Sequence, residues 1–514
     1  MLPLRPSCLL AAGLFASACV GGDGIDPENG GGGGGRGGKA DEATSGEPFM
    51  EVIFSPQAPE RSHNARVASI LRGMIERIDA EEGGDGAGHS VDVAMYSFSD
   101  AGIKAALAEL VSRGVAVRMI FEPARKDKGS PAGTKSAGYE DVGIDVRYIN
   151  KIMHHKFAIL DGPRDDESRA RTAVLITGSG NWSSGAATRY DENTLFQRGD
   201  AELVLRMQRE FNLLWQGSKD FVWGETDANL QSMPITDEMI EAVEDPDLDV
   251  GFTSDNFQLR VTSSGPSFRI IPGRDTVADL LVGLIDGAER SIHVASGHLR
   301  SRAVSDALVR WREAHPDGDL RVYLDGQEYL SSWYHQDQLD EVDQCLEAAG
   351  TSESSVQRCW DKGFLFSYQV HEAGVPLRYK FYAYRWDTSY ADQMHNKFFL
   401  FDGEVVASGS YNLSDNAEHD TMENMVVHRN PALAEMFERK FEELWTTGEE
   451  EDRLGTLTAG VQGGSDDIPL VFPPMALTWD QVTELKEVIL NACPAVDSDE
   501  YRRNAASHRA CPRD

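Results

Sequence analysis

Two His-x-Lys pairs are the residues of this sequence best suited to chemistry on a phosphate ester. His154 and Lys156 form the first pair, and His395 and Lys397 form the second. An imidazole can attack an electrophile or move a proton near neutral pH, and an ammonium group can neutralise a phosphate oxygen. Residues two apart in a strand share a face, so each His is expected beside its Lys. The same alternation turns His155 to the opposite face and excludes it from the site.

Further polar residues follow each pair in the same order. A Gly-Ser-x-Asn segment comes first and a Glu-Asn step comes later, with almost no gaps between the two copies. Side-chain amides can donate to a phosphate, and small residues let a phosphate approach the backbone, so the serines are predicted to bind substrate. The matched residues are Ser179, Asn181 and Glu192 in the first copy, and Ser410, Asn412 and Glu423 in the second. Asp161 and Asp402 stand five residues beyond the lysines and are expected to hold turns or local ion pairs.

The elements that position these residues also recur. Apolar residues within 64–80 fall on one helical face, and a strand, a helix and a strand follow, ending at Phe121. The same order of helix, strand, helix and strand runs through 276–325. This repeat predicts an α/β fold, a duplicated sandwich of two pseudo-twofold-related halves with mostly parallel central sheets. The expected divisions are a leader over 1–19, a Gly-rich linker over 20–46, a first repeat over 47–225, a linker over 226–262, a second repeat over 263–450 with an insertion at 326–377, and an extension over 451–514.

The beginning of the sequence is typical of an exported protein. An apolar run from Cys8 to Ala18 has the length of a signal-peptide core and ends in Ala-Ser-Ala-Cys. This ending resembles a bacterial lipobox, which implies lipidation of Cys19 and a membrane-anchored lipoprotein at the cell envelope. Ordinary cleavage after Ala18, giving a secreted protein, is the alternative.

Four further cysteines are candidates for disulfides in such an exported chain. They are Cys345, Cys359, Cys493 and Cys511, and the sequence leaves all three pairings open. Their spacing does not suit zinc, and no metal or cofactor is expected. The aromatic residues of the insertion could form either a lip for acyl chains or the small core of a subdomain.

The motif H-x-K-x(4)-D followed by G-S-x-N, present twice, resembles the signature of the phospholipase D superfamily over roughly residues 50–450. The resemblance implies one active site built from both halves and therefore a monomer. It implies that His154 is the nucleophile, that His395 is the acid, and that Glu192 and Glu423 each accept a hydrogen bond from a histidine Nδ1.

Several functions remain open at this point. Hydrolysis of phospholipid head groups through a phosphohistidine, with or without transfer to another alcohol, fits a membrane-tethered chain. A metal-independent nuclease is the alternative, but the net charge of −35 disfavours nucleic acid as a partner. Two further hypotheses remain. One is phospholipid synthesis of the cardiolipin type, and the other is a non-catalytic surface binding protein.

Overall fold

Two eight-stranded sheets form the framework of the described part of the chain. The computed structural model describes residues 47–81, 83–124, 127–130, 132–221, 232–360, 364–463, 468–495, 498–499 and 502. These residues belong to one compact unit. The predicted leader, its Cys19 and the Gly-rich linker lie outside the described residues.

The first sheet has the strand order β1-β8-β7-β6-β2-β3-β4-β9. Its strands, together with the short β5, are β1 (Phe49–Ser55), β2 (Ser90–Met95), β3 (Ala116–Phe121), β4 (Asp145–Tyr148), β5 (Ile152–Met153), β6 (Lys156–Leu160), β7 (Val174–Gly178), β8 (Glu192–Arg198) and β9 (Lys219–Asp220). The helices of this half are α1 (His63–Ala80), α2 (Ala101–Ser112), α3 (Ala137–Glu140), α4 (Ser184–Thr188), α5 (Ala201–Gln216) and α6 (Asp237–Glu241).

The second sheet repeats this arrangement position by position, in the order β10-β19-β17-β16-β13-β14-β15-β20. The strands of this half are β10 (Leu248–Phe252), β11 (Phe257–Thr262), β12 (Gly265–Ile270), β13 (Ser291–Ser296), β14 (Asp319–Asp325), β15 (Leu377–Ala383), β16 (Lys397–Phe401), β17 (Val405–Gly409), β18 (Thr421–Met422), β19 (Asn424–Arg429) and β20 (Val471–Thr478). The helices are α7 (Thr276–Gly287), α8 (Arg302–Ala314), α9 (Ser332–Ala349), α10 (Glu353–Trp360), α11 (Leu365–Glu372), α12 (Asp415–Asp420), α13 (Pro431–Trp445), α14 (Arg453–Gln462) and α15 (Trp479–Ala492). The predicted duplicated α/β architecture is confirmed.

The direction of the strands corrects one part of that prediction. In the first sheet only the β2–β3 and β3–β4 pairs are parallel, and in the second only β13–β14 and β14–β15. The other pairs of both sheets are antiparallel, so the sheets are mixed and not mostly parallel. The reason is the connections: a helix links each parallel pair, whereas only residues 402–404 join β16 to β17, too few for a crossover.

Two predicted boundaries also change. The region expected to be a linker, 226–262, contains β10, which pairs with β19 at the edge of the second sheet. The expected extension contains β20, which pairs with β15 at the opposite edge. The second sheet therefore takes its edge strands from both of these regions.

Capping residues at equivalent positions of the two repeats fix where the helix after β2 and the helix after β13 begin. Asp100 accepts a hydrogen bond from the Ile103 N–H at the start of α2, and Ser301 accepts one from the Val304 N–H at the start of α8. Both residues follow a strand of the parallel part of the sheet by a few residues. A capping side chain satisfies an otherwise unpaired N–H group, so each strand passes into its helix at a defined point.

The insertion folds as a small helical unit of α9, α10 and α11. Leu365 and Phe366 are buried with Val342 in its core, while Trp333 is 72% exposed. A disulfide joins Cys345 to Cys359. Cys511 lies outside the described residues, so the second couple stays a prediction. Within the described ranges, no helix combines the length and apolar composition needed to cross a bilayer.

Candidate active site

The two histidines of the motifs lie just before the strands that carry their lysines. The sequence predicts a continuous strand through each motif, but β6 starts at Lys156 and β16 at Lys397. The preceding backbone instead bonds to the other repeat. The His154 N–H donates to the Met422 carbonyl at 3.1 Å, and the His395 N–H donates to the Asp191 carbonyl at 3.0 Å. Each histidine backbone is therefore held by the opposite half of the molecule.

The glutamates reach across the same boundary. The His154 Nδ1 lies 2.8 Å from the Glu423 carboxylate, and the His395 Nδ1 lies 2.8 Å from the Glu192 carboxylate. Both glutamates are fully buried. Because each carboxylate accepts a hydrogen bond from the Nδ1–H of its histidine, Nε2 is left as the reactive nitrogen of each ring. Each His-Glu pair is thus completed only when the two repeats meet.

The lysines lie beneath these pairs. The Lys156 Nζ donates to the His154 carbonyl at 2.5 Å, and the Lys397 Nζ donates to the His395 carbonyl at 2.6 Å. Burial lowers the pKa of Lys156 to about 7 and that of Lys397 to about 8, against the opposing charges of Glu192 and Glu423. An anion that enters would stabilise the charged form of both lysines.

Burial also shifts the pKa values of the other ionisable groups. It lowers the pKa of His154 and of His395 well below the usual range, and the positive charges of Lys156 and Lys397 add to this effect. Burial raises the pKa of Glu192 and of Glu423 to about 7. These pKa values keep both histidines neutral near pH 7 until an anion enters, which suits a nucleophile.

The asparagines of the two motifs are placed differently. The Asn181 Oδ1 accepts a hydrogen bond from the Ser97 N–H at 3.1 Å, so its amide NH₂ is turned away from that contact. The Asn412 Oδ1 is buried, and no partner for it exists in the part of the chain that the structure describes. Each asparagine lies three residues after the glycine that ends β7 or β17.

The serines contact the protein and not an open cleft. The Ser179 Oγ accepts a hydrogen bond from the Asn193 N–H at 2.9 Å, and the Ser410 Oγ accepts one from the Asn424 N–H at 3.0 Å. Hydrogen bonds from these serines also oppose the rise in the pKa values of Glu192 and Glu423. Both serines are fully buried, so this geometry supports a role in positioning the glutamates and gives the predicted substrate contact no support.

The glycine before each serine has a structural reason. A Cβ at Gly178 would collide with the Asn193 carbonyl, and a Cβ at Gly409 would collide with the Asn424 carbonyl. The small residue is thus required by the neighbouring strand, where the sequence suggested an approaching phosphate.

Asp161 and Asp402 lie in turns at the far ends of β6 and β16, each with a positive φ. The Asp161 carboxylate contacts the His89 Nδ1 at 2.9 Å. The Asp402 carboxylate accepts hydrogen bonds from the backbone N–H groups of Glu289, Arg290 and Ser291. These contacts hold the turns and are remote from the histidine rings.

Sequence reasoning missed two acidic residues at the ends of β3 and β14. The Glu122 carboxylate accepts a hydrogen bond from the Met153 N–H at 2.9 Å, and the Asp325 carboxylate accepts one from the Met394 N–H at 2.8 Å. They therefore fix the residue before each catalytic candidate histidine. Their signal was available, because each is an acidic residue at the end of a predicted strand and at equivalent places in the repeat.

An aromatic ring lies near each motif histidine, but it is closer to His154, since the Tyr190 ring lies 6.3 Å from the His395 ring. The Tyr96 ring lies 4.5 Å from the His154 ring, between centroids, and the Lys156 Nζ lies 5.2 Å from the Tyr96 centroid. The side chain of His154 is 9% exposed, whereas that of His395 is 19% exposed. The two halves of the site are related but not identical.

One group of carboxylates in the described part of the chain is close enough to share a cation. It consists of Glu140, Asp145 and Asp220 and contains no residue of the two motifs.

Comparison with known proteins gives consistent results. The profile of the family described as "Cardiolipin synthase, PLD-like domain" matches residues 85–215 and 281–445. The mitochondrial cardiolipin hydrolase of Xenopus tropicalis is 33% identical over 129 residues, covering 25% of this chain and 55% of that protein. The protein of the same name from Danio rerio is 33% identical over 132 residues, covering 25% of this chain and 52% of that protein. The chain therefore spans about half the length of these curated relatives.

A solved structure of phosphatidylserine synthase from Haemophilus influenzae is also similar, with a TM-score of 0.44 and 12% identity over 78% of this chain and 90% of that chain. The family profile covers more than half of the sequence and includes the motif residues of both repeats. The chain belongs to the phospholipase D superfamily.

Proposed function

We propose that this protein is a phosphodiesterase of the phospholipase D type that hydrolyses phospholipid head groups through a phosphohistidine. The observation that carries the proposal is the pair of crossed His-Glu contacts, each 2.8 Å long and each flanked by a buried lysine. Two reactive imidazole nitrogens and two cationic groups around one site match the needs of a two-step displacement at phosphorus.

In the first step the Nε2 of His154 attacks phosphorus and forms an N–P bond. The P–O bond to the head-group alcohol breaks, and the protonated His395 gives its proton to the leaving oxygen. In the second step water attacks phosphorus, His395 takes a proton from it, and the N–P bond breaks. Phosphatidic acid and the free alcohol leave, and an added alcohol in place of water gives a transfer product.

The unequal exposure of the histidines supports this division of roles. His154 lies beneath Tyr96, as suits a nucleophile that stays bonded to the lipid phosphate. His395 is more exposed and can reach both the leaving alcohol and the incoming water. A bound phosphodiester adds negative charge beside the lysines, and this charge favours the protonated form of His395.

A phospholipid is the substrate class best supported. The relatives matched by sequence carry the name cardiolipin hydrolase, and the family profile carries the name cardiolipin synthase. A net charge of −35 disfavours binding of a nucleic acid. Lipidation of Cys19 would hold the protein at a membrane, where such a substrate is present.

The test uses the full chain with mixed micelles of phosphatidylcholine and detergent, in the presence of ethanol and EDTA. Mass spectrometry follows phosphatidic acid and phosphatidylethanol. We expect both products from the parent protein, because exchange with an alcohol requires a covalent intermediate. His154→Ala should form neither product.

The matched control is His155→Asn. His155 is buried on the far side of the motif, and the second repeat has Asn396 at the same place. We expect this variant to keep its activity. Absence of both lipid products from the parent protein would overturn the proposed substrate, and single-stranded and duplex DNA would then be tested with the same variants.

A further inference from the structure

A further histidine, His298, flanks His395 in the second repeat, at a place where the first repeat has Ser97. The Tyr96 N–H donates to the His155 carbonyl in the first repeat, and the Gly297 N–H donates to the Asn396 carbonyl in the second. These matching bonds make Gly297 the counterpart of Tyr96 and His298 the counterpart of Ser97. A Cβ at Gly297 would come within 2.8 Å of the Met394 carbonyl and 3.8 Å of the His395 Cα. The backbone next to His298 therefore packs directly against His395.

His298 has the same kind of carboxylate partner as the two motif histidines. Its Nδ1 lies 3.0 Å from the Glu328 Oε1. Glu328 is fully buried and also accepts hydrogen bonds from the Arg300 Nε at 3.0 and 3.1 Å. Burial alone would raise the pKa of Glu328, but the charge of Arg300 and the hydrogen bonds outweigh it and lower that pKa to about 2. An ionised carboxylate can only accept, so Nδ1 of His298 carries the proton.

The other ring nitrogen of His298 is free to meet a ligand. Burial lowers the pKa of His298, so the neutral ring presents an unprotonated Nε2. Among the described residues, none forms a hydrogen bond with this nitrogen, and the side chain is 22% exposed. His298 is also close enough to His395 and Lys397 to interact electrostatically with both. A half-buried and oriented acceptor thus lies beside the proposed acid.

We propose that His298 determines head-group specificity by accepting, at Nε2, a hydrogen bond from a hydroxyl of the leaving alcohol. The inference rests on the proposed function, in which His395 protonates that alcohol and the head group therefore lies on its side of the site. A neutral imidazole acceptor favours a polyhydroxyl head group of the glycerol type. It offers nothing to a quaternary ammonium group, which has no proton to donate.

The experiment compares phosphatidylglycerol with phosphatidylcholine in mixed micelles and measures kcat/KM for each with the full chain. The parent protein should prefer phosphatidylglycerol. His298→Phe should reduce this preference about tenfold, as expected for one lost hydrogen bond to a bound substrate, and should leave the rate on phosphatidylcholine nearly unchanged. His298→Gln should keep part of the preference, because its side-chain oxygen can replace Nε2 as an acceptor.

The matched control is His315→Phe, at a histidine of the same repeat that stacks on Trp311 and is not part of the site. It should keep the preference of the parent protein. A parent protein without the preference, or an equal loss on both lipids in His298→Phe, would overturn this inference alone. A parent protein that cleaves neither lipid would instead overturn the proposed function, and this inference with it.

Discussion

The two repeats position their histidines in the same way but surround them differently. In the first repeat Tyr96 covers His154, and Ser97 uses its N–H to hold Asn181. In the second repeat Gly297 has no side chain at the corresponding place, the Tyr190 ring lies 6.3 Å from the His395 ring, and His298 adds a further imidazole. The scaffold contacts are retained in both halves, including the crossed glutamates and the serines beneath them.

Under the proposed function, this difference assigns different steps of the reaction to the two repeats of a duplicated fold. The contacts that position each imidazole are the same because both steps need a fixed ring with Nε2 free. Under the proposed function, the residues at the opening differ because one side would hold the phosphate and the other would admit alcohol or water. The comparison can be tested by changing equivalent residues in the two halves.

Replacement of the two histidines should have the largest effects and should separate their roles. On a phospholipid, we expect His154→Ala and His395→Ala each to lose activity by roughly 10⁴-fold or more. On bis(p-nitrophenyl) phosphate, whose leaving group needs no proton, His395→Ala should still release about one p-nitrophenol per protein and stop as the phosphorylated protein. Stopped-flow absorbance and intact-protein mass spectrometry measure this burst. A burst from His154→Ala in place of His395→Ala would reverse the assignment.

Replacement of the glutamates should follow the crossed contacts. Glu423→Gln should impair the same step as His154→Ala, but less severely, and should therefore slow the burst. Glu192→Gln should mainly slow the turnover that follows the burst. A loss of about 10–100-fold is expected for each, because the ring keeps its place but loses its carboxylate partner. Burst and steady-state rates measured on the same substrate distinguish the two. The opposite pattern would show that each glutamate acts on the histidine of its own repeat.

The pH dependence should reflect the buried cluster. Activity needs neutral His154, whose pKa is lowered by burial and by the lysines, so the acid limb of kcat/KM should lie below pH 6.5. Activity also needs charged lysines, and their pKa values are lowered to about 7 and 8, so activity should fall as the pH rises through this window. A profile that stays flat to pH 10 would contradict this expectation. Lys156→Arg provides the comparison, since any activity that it keeps should persist to higher pH.

Removal of the aromatic cover should have a smaller effect. Tyr96→Ala exposes His154 to water and should reduce kcat several-fold, and Tyr96→Phe should keep most of the activity because the ring remains. Steady-state kinetics on phosphatidylcholine measure both variants. If Tyr96→Phe lost as much as Tyr96→Ala, the hydroxyl and not the ring would be the important group.

The turn aspartates should give the smallest effect, on stability alone. Asp402→Asn weakens three hydrogen bonds from backbone N–H groups and should lower the free energy of unfolding by about 1–2 kcal/mol. Asp161→Asn loses a contact with His89 and should cost less. Urea unfolding measures both, and kcat should be unchanged. A large loss of kcat in either variant would place that aspartate in the reaction.

Much of the architecture could be predicted because local patterns specify it. The apolar spacing of α1 and the strands at Val91 and Val115 follow from periodicity, and the helix boundaries differ from expectation by only a few residues. The edge strands β10 and β20 were missed. A strand at the edge of a sheet is stabilised by its neighbour, and that neighbour is distant in sequence.

The sequence by itself determined which residues could react, since the two motifs repeat the same residue types at the same spacing. The resemblance of these motifs to the phospholipase D superfamily implied that the two halves build one site. Only the tertiary structure decided that each glutamate serves the histidine of the other repeat. It alone also showed that the serines are buried and that His298 lies beside His395. The physical reason is clearest for the His-Glu contacts, which join residues 269 and 203 positions apart, so that only the packing of the two repeats brings them within hydrogen-bonding distance.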